Sequence, residues 1–238
     1  MSLLLSPWAG PSIRVAPYRL SGTVYAALLN HHRSLEALGD AVAEPPYRGA
    51  PRQVVLAVKP RHALVLPGDP IRVDGTGEAD VLEVGAALGI VIGRTACAVS
   101  EAEALAHVAG YLVVADCTVP RRMHFRPQIR AMARDASCAL GPRVVSAAAI
   151  GNPDALTLRT YVDGALVRTA STADQVRSAA RLIADISDFM TLAPGDIVLA
   201  GSAPDAPMVR AGAHVAVEIE GVGRLDAQVV AEPAARAA

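Results

Sequence analysis

The sequence is poor in aromatic residues, cysteine and net charge, and each shortage narrows what the protein can be. Aromatic residues make up 3% of the 238 residues although apolar residues reach 52%, so the core must consist of small and β-branched side chains. A net charge of −1 provides no field that would attract nucleic acid or an anionic membrane surface. Cys97, Cys117 and Cys138 are odd in number and lack C-x-x-C spacing, which predicts reduced, mostly buried thiols.

Long hydrophobic runs and a secretory signal are also missing from the sequence. No stretch of about 18 uncharged apolar residues occurs, so we expect no membrane span. Residues 1–20 contain three prolines but neither the basic start nor the cleavage site of a signal peptide. We therefore expect a cytoplasmic protein with an extended arm at residues 1–20, a single domain at 21–232 and a disordered-type tail at 233–238.

Residues 81–99, VLEVGAALGIVIGRTACAV, form the most strand-like stretch of the chain. They contain one acid, Glu83, and one base, Arg94, and the Ile90-Val91-Ile92 triplet strongly favours β-structure. An apolar run bounded by glycine is typical of a strand buried on both faces. We expect this strand to be central and the functional site to lie beside it.

Turn signals elsewhere predict many strands and few helices. The clearest hairpin joins residues 156–162 to 165–169, because Asp163-Gly164 supplies the positive φ of a type I′ turn. Frequent Gly and Pro turns without strand–helix alternation predict one α+β, mainly β domain. The remaining local predictions are short helices over 34–43, over 101–108 after a Ser100-x-x-Glu103 capping box and from Thr172 onward, and an ordered loop over 120–143.

An ordered series of motifs across residues 22–231 resembles the fumarylacetoacetate hydrolase family. The motifs are Lys59-Pro60, Ile90-Val91-Ile92-Gly93-Arg94, Ala109-Gly110-Tyr111 with Asp116, Arg134-Asp135, FMTLAPGD at 189–196 and EIEGVGRL at 218–225. The resemblance implies a mixed β-sandwich or roll with a few short helices. The stretches LLNHHRSLEAL and FRPQIRAMARD are most similar to the first of two tandem domain copies in family members of homoprotocatechuate meta-cleavage.

The resemblance also implies a divalent cation, Mg²⁺ or Mn²⁺, held by three acids. Two of these acids form an E-x-E on the central strand, and the third is an aspartate after the next strand. The family pattern places Gly85 and Ala87 at the glutamate positions and Asp116 at the third, while Met132 stands where the family has a catalytic lysine. Glu83 would lie on the same strand face, about 7 Å further along, and is the remaining candidate to help Asp116 bind metal.

The other candidate site residues are histidines, acids and bases near these motifs. The predicted catalytic residues are Asp116, His31, His32 and Asp135; the histidines could instead be a loop residue and a turn cap. The predicted substrate-binding residues are Lys59, Arg126 and Arg130. The guanidinium groups of the two arginines suit carboxylates; solvated arginines on a surface loop or at a subunit interface are the alternative.

Two functions follow from the resemblance. In the first, the protein is an isomerase/decarboxylase of aromatic meta-cleavage catabolism. It would act on 2-oxo or 2-hydroxy unsaturated di- or tricarboxylates by metal-assisted enolate chemistry. In the second, it is a non-catalytic or regulatory subunit that pairs with a metal-binding sister subunit. Either function implies a small carboxylate ligand and a homodimer or hetero-oligomer, without nucleic acid or membrane partners.

Overall fold

The structure is a computed structural model that describes residues 13–16, 18–20, 22–74, 80–120 and 129–232. The strands are β1 (Ile13–Val15), β2 (Tyr18–Leu20), β3 (Val24–Leu28), β4 (Val55–Lys59), β5 (Leu64–Val65), β6 (Ile71–Val73), β7 (Leu82–Ile92), β8 (Val108–Thr118), β9 (Cys138–Leu140), β10 (Val145–Ser146), β11 (Thr157–Val162), β12 (Ala165–Ser171), β13 (Ile197–Leu199), β14 (Met208–Val209), β15 (His214–Ile219) and β16 (Gly223–Ala231). The helices are α1 (His32–Glu36), α2 (Glu101–Ala104), α3 (Ile129–Met132) and α4 (Ala179–Ser187), with 3₁₀ turns at Gly39–Val42, Arg61–Ala63, Leu105–His107, Ala147–Ala149, Pro153–Ala155 and Thr172–Asp174.

Two sheets carry most of the fold. The first has nine strands, ordered β4-β3-β13-β7-β8-β9-β5, with β10 added beside β8 and β14 beside β7. The second has five strands, ordered β12-β11-β15-β16-β6, and β1 and β2 form a separate ribbon. The architecture confirms the expected α+β, mainly β class. No helix within the described ranges is long and apolar enough to cross a membrane.

The strand expected to be central is β7, and it is buried on both faces. It pairs with β8 on one side and with β13 and β14 on the other. Val84, Leu88 and Ile90 point into the core that includes the five-stranded sheet and α4. Ala87 and Val91 point into a second core on the opposite face of β7. The two cores explain why the sequence of this strand is apolar without alternation.

The predicted hairpin is confirmed. β11 pairs with β12 around Asp163 and Gly164, whose φ angles are 50° and 81°, as a type I′ turn requires. The helix expected from Thr172 begins later, because Thr172–Asp174 forms a 3₁₀ turn and α4 starts after Ser178. The Ser178 hydroxyl accepts the N–H of Arg181 and so caps α4.

Two local predictions differ from the structure. The helix expected over residues 34–43 is divided into α1 and a 3₁₀ turn, because Gly39 takes a φ of +50° that an α-helix cannot contain. The loop expected over residues 120–143 contains α3 and β9, although residues 121–128 lie outside the described part. β9 forms because it pairs with Val114 and Asp116 of β8. This contact joins residues far apart in the chain, so no local sequence pattern predicts it.

Candidate functional site

A cavity of about 340 Å³ lies on the face of the nine-stranded sheet that carries the odd-numbered residues of β7. Its floor includes Glu83, Gly85 and Ala87 of β7 and Asp116 of β8. One flank is formed by α1 and the residues just after it, and the other by the loop at residues 201–206. The cavity volume is within the usual range for small-molecule sites.

The register between β7 and β8 brings the predicted metal positions together. Gly85 pairs directly with Asp116, and Ala87 pairs with Val114. Because side chains alternate between faces, Glu83, Gly85, Ala87 and Asp116 share one side of the sheet. The family pattern predicted this arrangement, in which Glu83 lies two residues before Gly85 on the same face of β7.

Ser202 fills the space that a side chain at position 85 would need. A Cβ atom built on Gly85 would lie 2.8 Å from Ser202 Oγ and 3.0 Å from the Asp116 carbonyl oxygen. Both distances are shorter than normal van der Waals contact. The strand is therefore packed around glycine at this position, and a larger residue requires Ser202 to move.

Lys59 and Asp116 form a buried ion pair beneath the cavity. Lys59 Nζ lies 2.5 Å from Asp116 Oδ1 and donates a hydrogen bond to the Met132 carbonyl oxygen at 2.6 Å. The Lys59 side chain has no exposed surface, while 12% of the Asp116 side chain remains exposed. Lys59 ends β4, four strands from β8 in the sheet order, so the pair forms only because the sheet is curled. A buried ammonium needs such a partner because isolated burial of a charge is very costly.

The residues at this floor do not fit the Mg²⁺ or Mn²⁺ that the family resemblance implies. Mg²⁺ takes about six oxygen ligands, usually one or two carboxylates with the rest water, and the family pattern uses three acids. Here Asp116 is already paired with Lys59, and Gly85 and Ala87 offer no side-chain oxygen, which leaves the predicted ligand Glu83 as the one other carboxylate among the described residues of the floor. Within the described residues, no group of three or more histidine, cysteine, aspartate or glutamate side chains is placed to hold a metal ion.

The two predicted catalytic histidines lie beside the cavity rather than on its wall. His31 is buried and caps α1, since its Nδ1 accepts the N–H of Arg33 at 3.3 Å. Burial lowers the pKa of His31, and the carboxylate of Asp174, 4.0 Å from Nε2, opposes this shift. His32 is exposed. Of the residues at this end of α1, it is Ser34 that lines the cavity.

The remaining predicted site residues are scattered. Asp135 is exposed and lies 3.6 Å from His62 Nε2 at the surface, so it does not line the cavity. Arg130 is exposed on α3 and is also not a lining residue. Arg126 falls in a segment outside the described residues.

Two of the three cysteines are buried, as the sequence predicted. Cys117 and Cys138 are buried and Cys97 is exposed, and all three are free. Burial, reinforced by the nearby charge of Asp116, raises the pKa of Cys117 to about 12. A thiol that stays protonated at neutral pH is a poor nucleophile, so Cys117 is a packing residue.

Sequence reasoning missed two features of the site. Ser202 fills the place beside Gly85, and an ion pair joins Arg33 Nη2 to Asp205 Oδ2 at 3.2 Å across the cavity rim. Residues 200–203, Ala-Gly-Ser-Ala, match no sequence motif that points to Gly85. Nothing local links Arg33 to Asp205, because the pair depends on how α1 and the 201–206 loop meet.

The family comparison agrees with the fold. The profile described as Fumarylacetoacetate (FAA) hydrolase C-terminal matches residues 23–230. The chain therefore belongs to the fumarylacetoacetate hydrolase family, which confirms the resemblance seen in the motifs.

A curated relative from Escherichia coli is similar to this chain over most of the chain's length. The chain is 34% identical over 213 residues to the 4-hydroxyphenylacetate degradation bifunctional isomerase/decarboxylase of Escherichia coli, covering 90% of this chain and 48% of that protein. The chain thus spans about half the length of this curated relative.

Solved structures agree with this assignment. The 2-hydroxyhepta-2,4-diene-1,7-dioate isomerase of Mycobacterium marinum has a TM-score of 0.70 at 30% identity, covering 90% of this chain and 76% of that one. The maleylpyruvate hydrolase of Sphingobium sp. SYK-6, solved with manganese and pyruvate, has a TM-score of 0.73 at 26% identity, covering 89% and 71%.

Proposed function

We propose that this protein acts in the meta-cleavage catabolism of aromatic compounds, on the branch that degrades 4-hydroxyphenylacetate through homoprotocatechuate. Its ligands would be 2-oxo or 2-hydroxy unsaturated di- or tricarboxylates, such as 2-hydroxyhepta-2,4-diene-1,7-dioate and 5-oxopent-3-ene-1,2,5-tricarboxylate. The observation that carries this proposal is the cavity over the Gly85–Asp116 pair, in a chain 34% identical to a bifunctional isomerase/decarboxylase.

The chain's own residues suggest how the reaction would be supported. Isomerisation moves a proton along a conjugated 2-hydroxydiene, and decarboxylation leaves an electron pair on the same conjugated system. Asp116 would accept or return a proton through Oδ2, since Oδ1 contacts Lys59. The buried Lys59 ammonium would keep Asp116 in place, so Lys59 would be a positioning residue instead of the substrate contact suggested by the sequence.

A second candidate function is favoured by the floor of the cavity. Neither Gly85 nor Ala87 supplies a metal ligand, and Asp116 is paired with Lys59. These three residues would therefore not hold a cation that could stabilise an enolate. The chain would then be a non-catalytic or regulatory subunit. It would pair with a sister chain of the same family that has all three metal-binding acids. In such a pair, this chain would correspond to one half of the bifunctional relatives.

Decarboxylation of 5-oxopent-3-ene-1,2,5-tricarboxylate by the purified chain separates the two candidates. The assay is run with Mg²⁺, with EDTA, and after addition of a second chain of the same family whose three metal-binding acids are intact. Turnover by the chain alone supports the self-sufficient enzyme and contradicts the subunit hypothesis. Turnover that starts only when the sister is present supports the subunit hypothesis.

The Asp116→Asn variant is assayed in both arms, with thermal melting to verify that it is folded, because the change leaves Lys59 unpaired. The self-sufficient enzyme predicts that the variant loses activity by about 10²-fold or more, as general-base removal does. In the subunit case, activity of the mixed complex would survive this change. An inactive mixture of correctly folded chains would contradict both candidates.

A further inference from the structure

The described part of the cavity wall carries acidic side chains and no basic one. Among the described lining residues, the charged side chains are Glu83, Asp116 and Asp205, and none is lysine, arginine or histidine. Lys59 neutralises Asp116 from behind, but it is fully buried and cannot reach a ligand. A di- or tricarboxylate that entered this cavity would therefore need a cation from its rim.

Arg33 is a cation that the described part of the rim provides. It belongs to α1, next to the lining residue Ser34, and its guanidinium lies 3.2 Å from the carboxylate of Asp205, which lines the opposite flank. The two side chains are 54% and 70% exposed. Because exposed ion pairs contribute little stability, Arg33 can leave Asp205 at small cost.

The backbone on both sides of this pair is anchored independently of it. His31 Nδ1 accepts the N–H of Arg33, which holds the start of α1. Arg168 donates a hydrogen bond to the Pro204 carbonyl oxygen at 2.8 Å, which holds the loop that carries Asp205. Movement of the Arg33 side chain therefore need not disturb the fold of either flank.

We propose that Arg33 binds the distal carboxylate of the ligand, exchanging the carboxylate of Asp205 for that of the ligand when the cavity fills. The inference rests on the proposed function, since it assumes a 2-oxo acid ligand with a second carboxylate. A guanidinium can form two parallel hydrogen bonds to one carboxylate, a geometry that its single contact with Asp205 does not use. Asp205 would thus be an internal competitor that keeps Arg33 at the rim.

The test is calorimetric titration with two probes, 2-oxoadipate and 2-oxohexanoate. Both have a six-carbon chain and a 2-oxo acid end, but only 2-oxoadipate has a distal carboxylate. The wild type is expected to bind 2-oxoadipate more tightly. Arg33→Gln should weaken 2-oxoadipate binding about tenfold, as loss of a charge-assisted contact does, and leave 2-oxohexanoate binding within about twofold of wild type.

The Asp205→Asn variant should change the affinity for 2-oxoadipate in the opposite direction. Removal of the competitor should strengthen 2-oxoadipate binding by about threefold and leave 2-oxohexanoate unaffected. Arg181→Gln is the matched control, because Arg181 is 55% exposed and ion-paired to Asp185 on α4, away from the cavity lining. It should bind both probes as the wild type does, and thermal melting of all variants verifies that they are folded.

The outcomes separate this inference from the proposed function. If the wild type binds both probes equally and Arg33→Gln changes neither affinity, the role of Arg33 is overturned while the 2-oxo acid site stands. The same holds if Asp205→Asn weakens 2-oxoadipate binding. If the folded wild type binds neither probe, the proposed ligand class fails and this inference fails with it.

Discussion

Lys59 and Asp116 are the two residues whose contact defines the floor of the cavity. Both charges are largely removed from water, and each is the main compensation for the other. Such a pair stabilises a fold little compared with apolar packing, but removal of one partner leaves an uncompensated buried charge. We therefore expect the pair to position Asp116 more than to stabilise the fold.

We predict strong coupling between Lys59 and Asp116 in the free energy of unfolding. Lys59→Met and Asp116→Asn should each destabilise the protein by about 3 kcal/mol, because each leaves the other charge buried and unpaired. The double variant should lose about 2 kcal/mol less than the sum of the single losses. Urea denaturation measures all four proteins.

An exposed pair serves as the control for this cycle. Arg159 and Glu218 are 3.2 Å apart and about one-third exposed, so their coupling should be at most about 1 kcal/mol. Additive losses at Lys59 and Asp116 would show that the two charges do not depend on each other.

His31 should make stability depend on pH near neutrality. Burial lowers its pKa in the folded state, so as pH falls the unfolded chain takes up this proton first. The contribution of neutral His31 to the free energy of unfolding is complete above the ordinary histidine pKa of about 6.5. It is lost as the pH falls below 6.5 towards the lower pKa of His31 in the folded state. His31→Asn should flatten the fall in unfolding free energy between about pH 7.5 and 5.5.

The neighbouring histidine provides the comparison for that experiment. His32→Asn, at an exposed position, should keep the pH dependence of the wild type. A His31→Asn variant with an unchanged pH profile would show that other groups cause the effect. Chemical denaturation at several pH values gives the required free energies.

At the scale of single elements, β7 and β8 combine two kinds of packing. The even-numbered residues of β7 face an apolar core, and the odd-numbered residues at its start face the cavity. Gly85 lies against the 201–206 loop, since Ser202 occupies the space beside it. The identity of this residue is thus linked to the position of the 201–206 loop.

We predict that Gly85→Ala destabilises the protein by about 1 kcal/mol. The added Cβ would contact Ser202 Oγ and the Asp116 carbonyl oxygen at distances that force both to shift, which outweighs the usual entropic gain of replacing glycine. Adding Ser202→Gly should recover part of the loss. Equal melting temperatures for wild type and Gly85→Ala would mean that the loop yields freely.

At the scale of the whole molecule, the curl of the nine-stranded sheet creates the site. It brings the end of β4 under β8 and encloses a second core, so that polar and apolar groups meet around one cavity. The same curl places α1 and the 201–206 loop on facing flanks. The site is therefore a property of the complete domain and not of any single motif.

We predict that Mn²⁺ does not stabilise the isolated protein. An ion that binds the folded state raises the melting temperature by mass action, and within the described residues no group of three or more histidine, cysteine, aspartate or glutamate side chains is placed to hold one. Melting temperatures in millimolar Mn²⁺ and in EDTA should agree within about 1 °C. The Sphingobium maleylpyruvate hydrolase is the positive control, and a saturable rise with this chain would contradict the prediction.

Much of the local structure was predictable from the sequence. The Asp163-Gly164 hairpin follows from backbone preference, and the burial of β7 follows from its composition. The common face of Glu83, Gly85 and Ala87 follows from the two-residue period of a strand. These features depend on neighbours in sequence, so local rules apply to them.

The sequence by itself determined the family, the mainly β class and the absence of carboxylates at positions 85 and 87. Only the tertiary structure decided that Lys59 pairs with Asp116, that Ser202 occupies the space beside Gly85 and that Arg33 meets Asp205. These contacts join residues far apart in the chain. They depend on the curl of the sheet and the position of its loops, which result from packing throughout the fold. No local sequence pattern therefore predicts them.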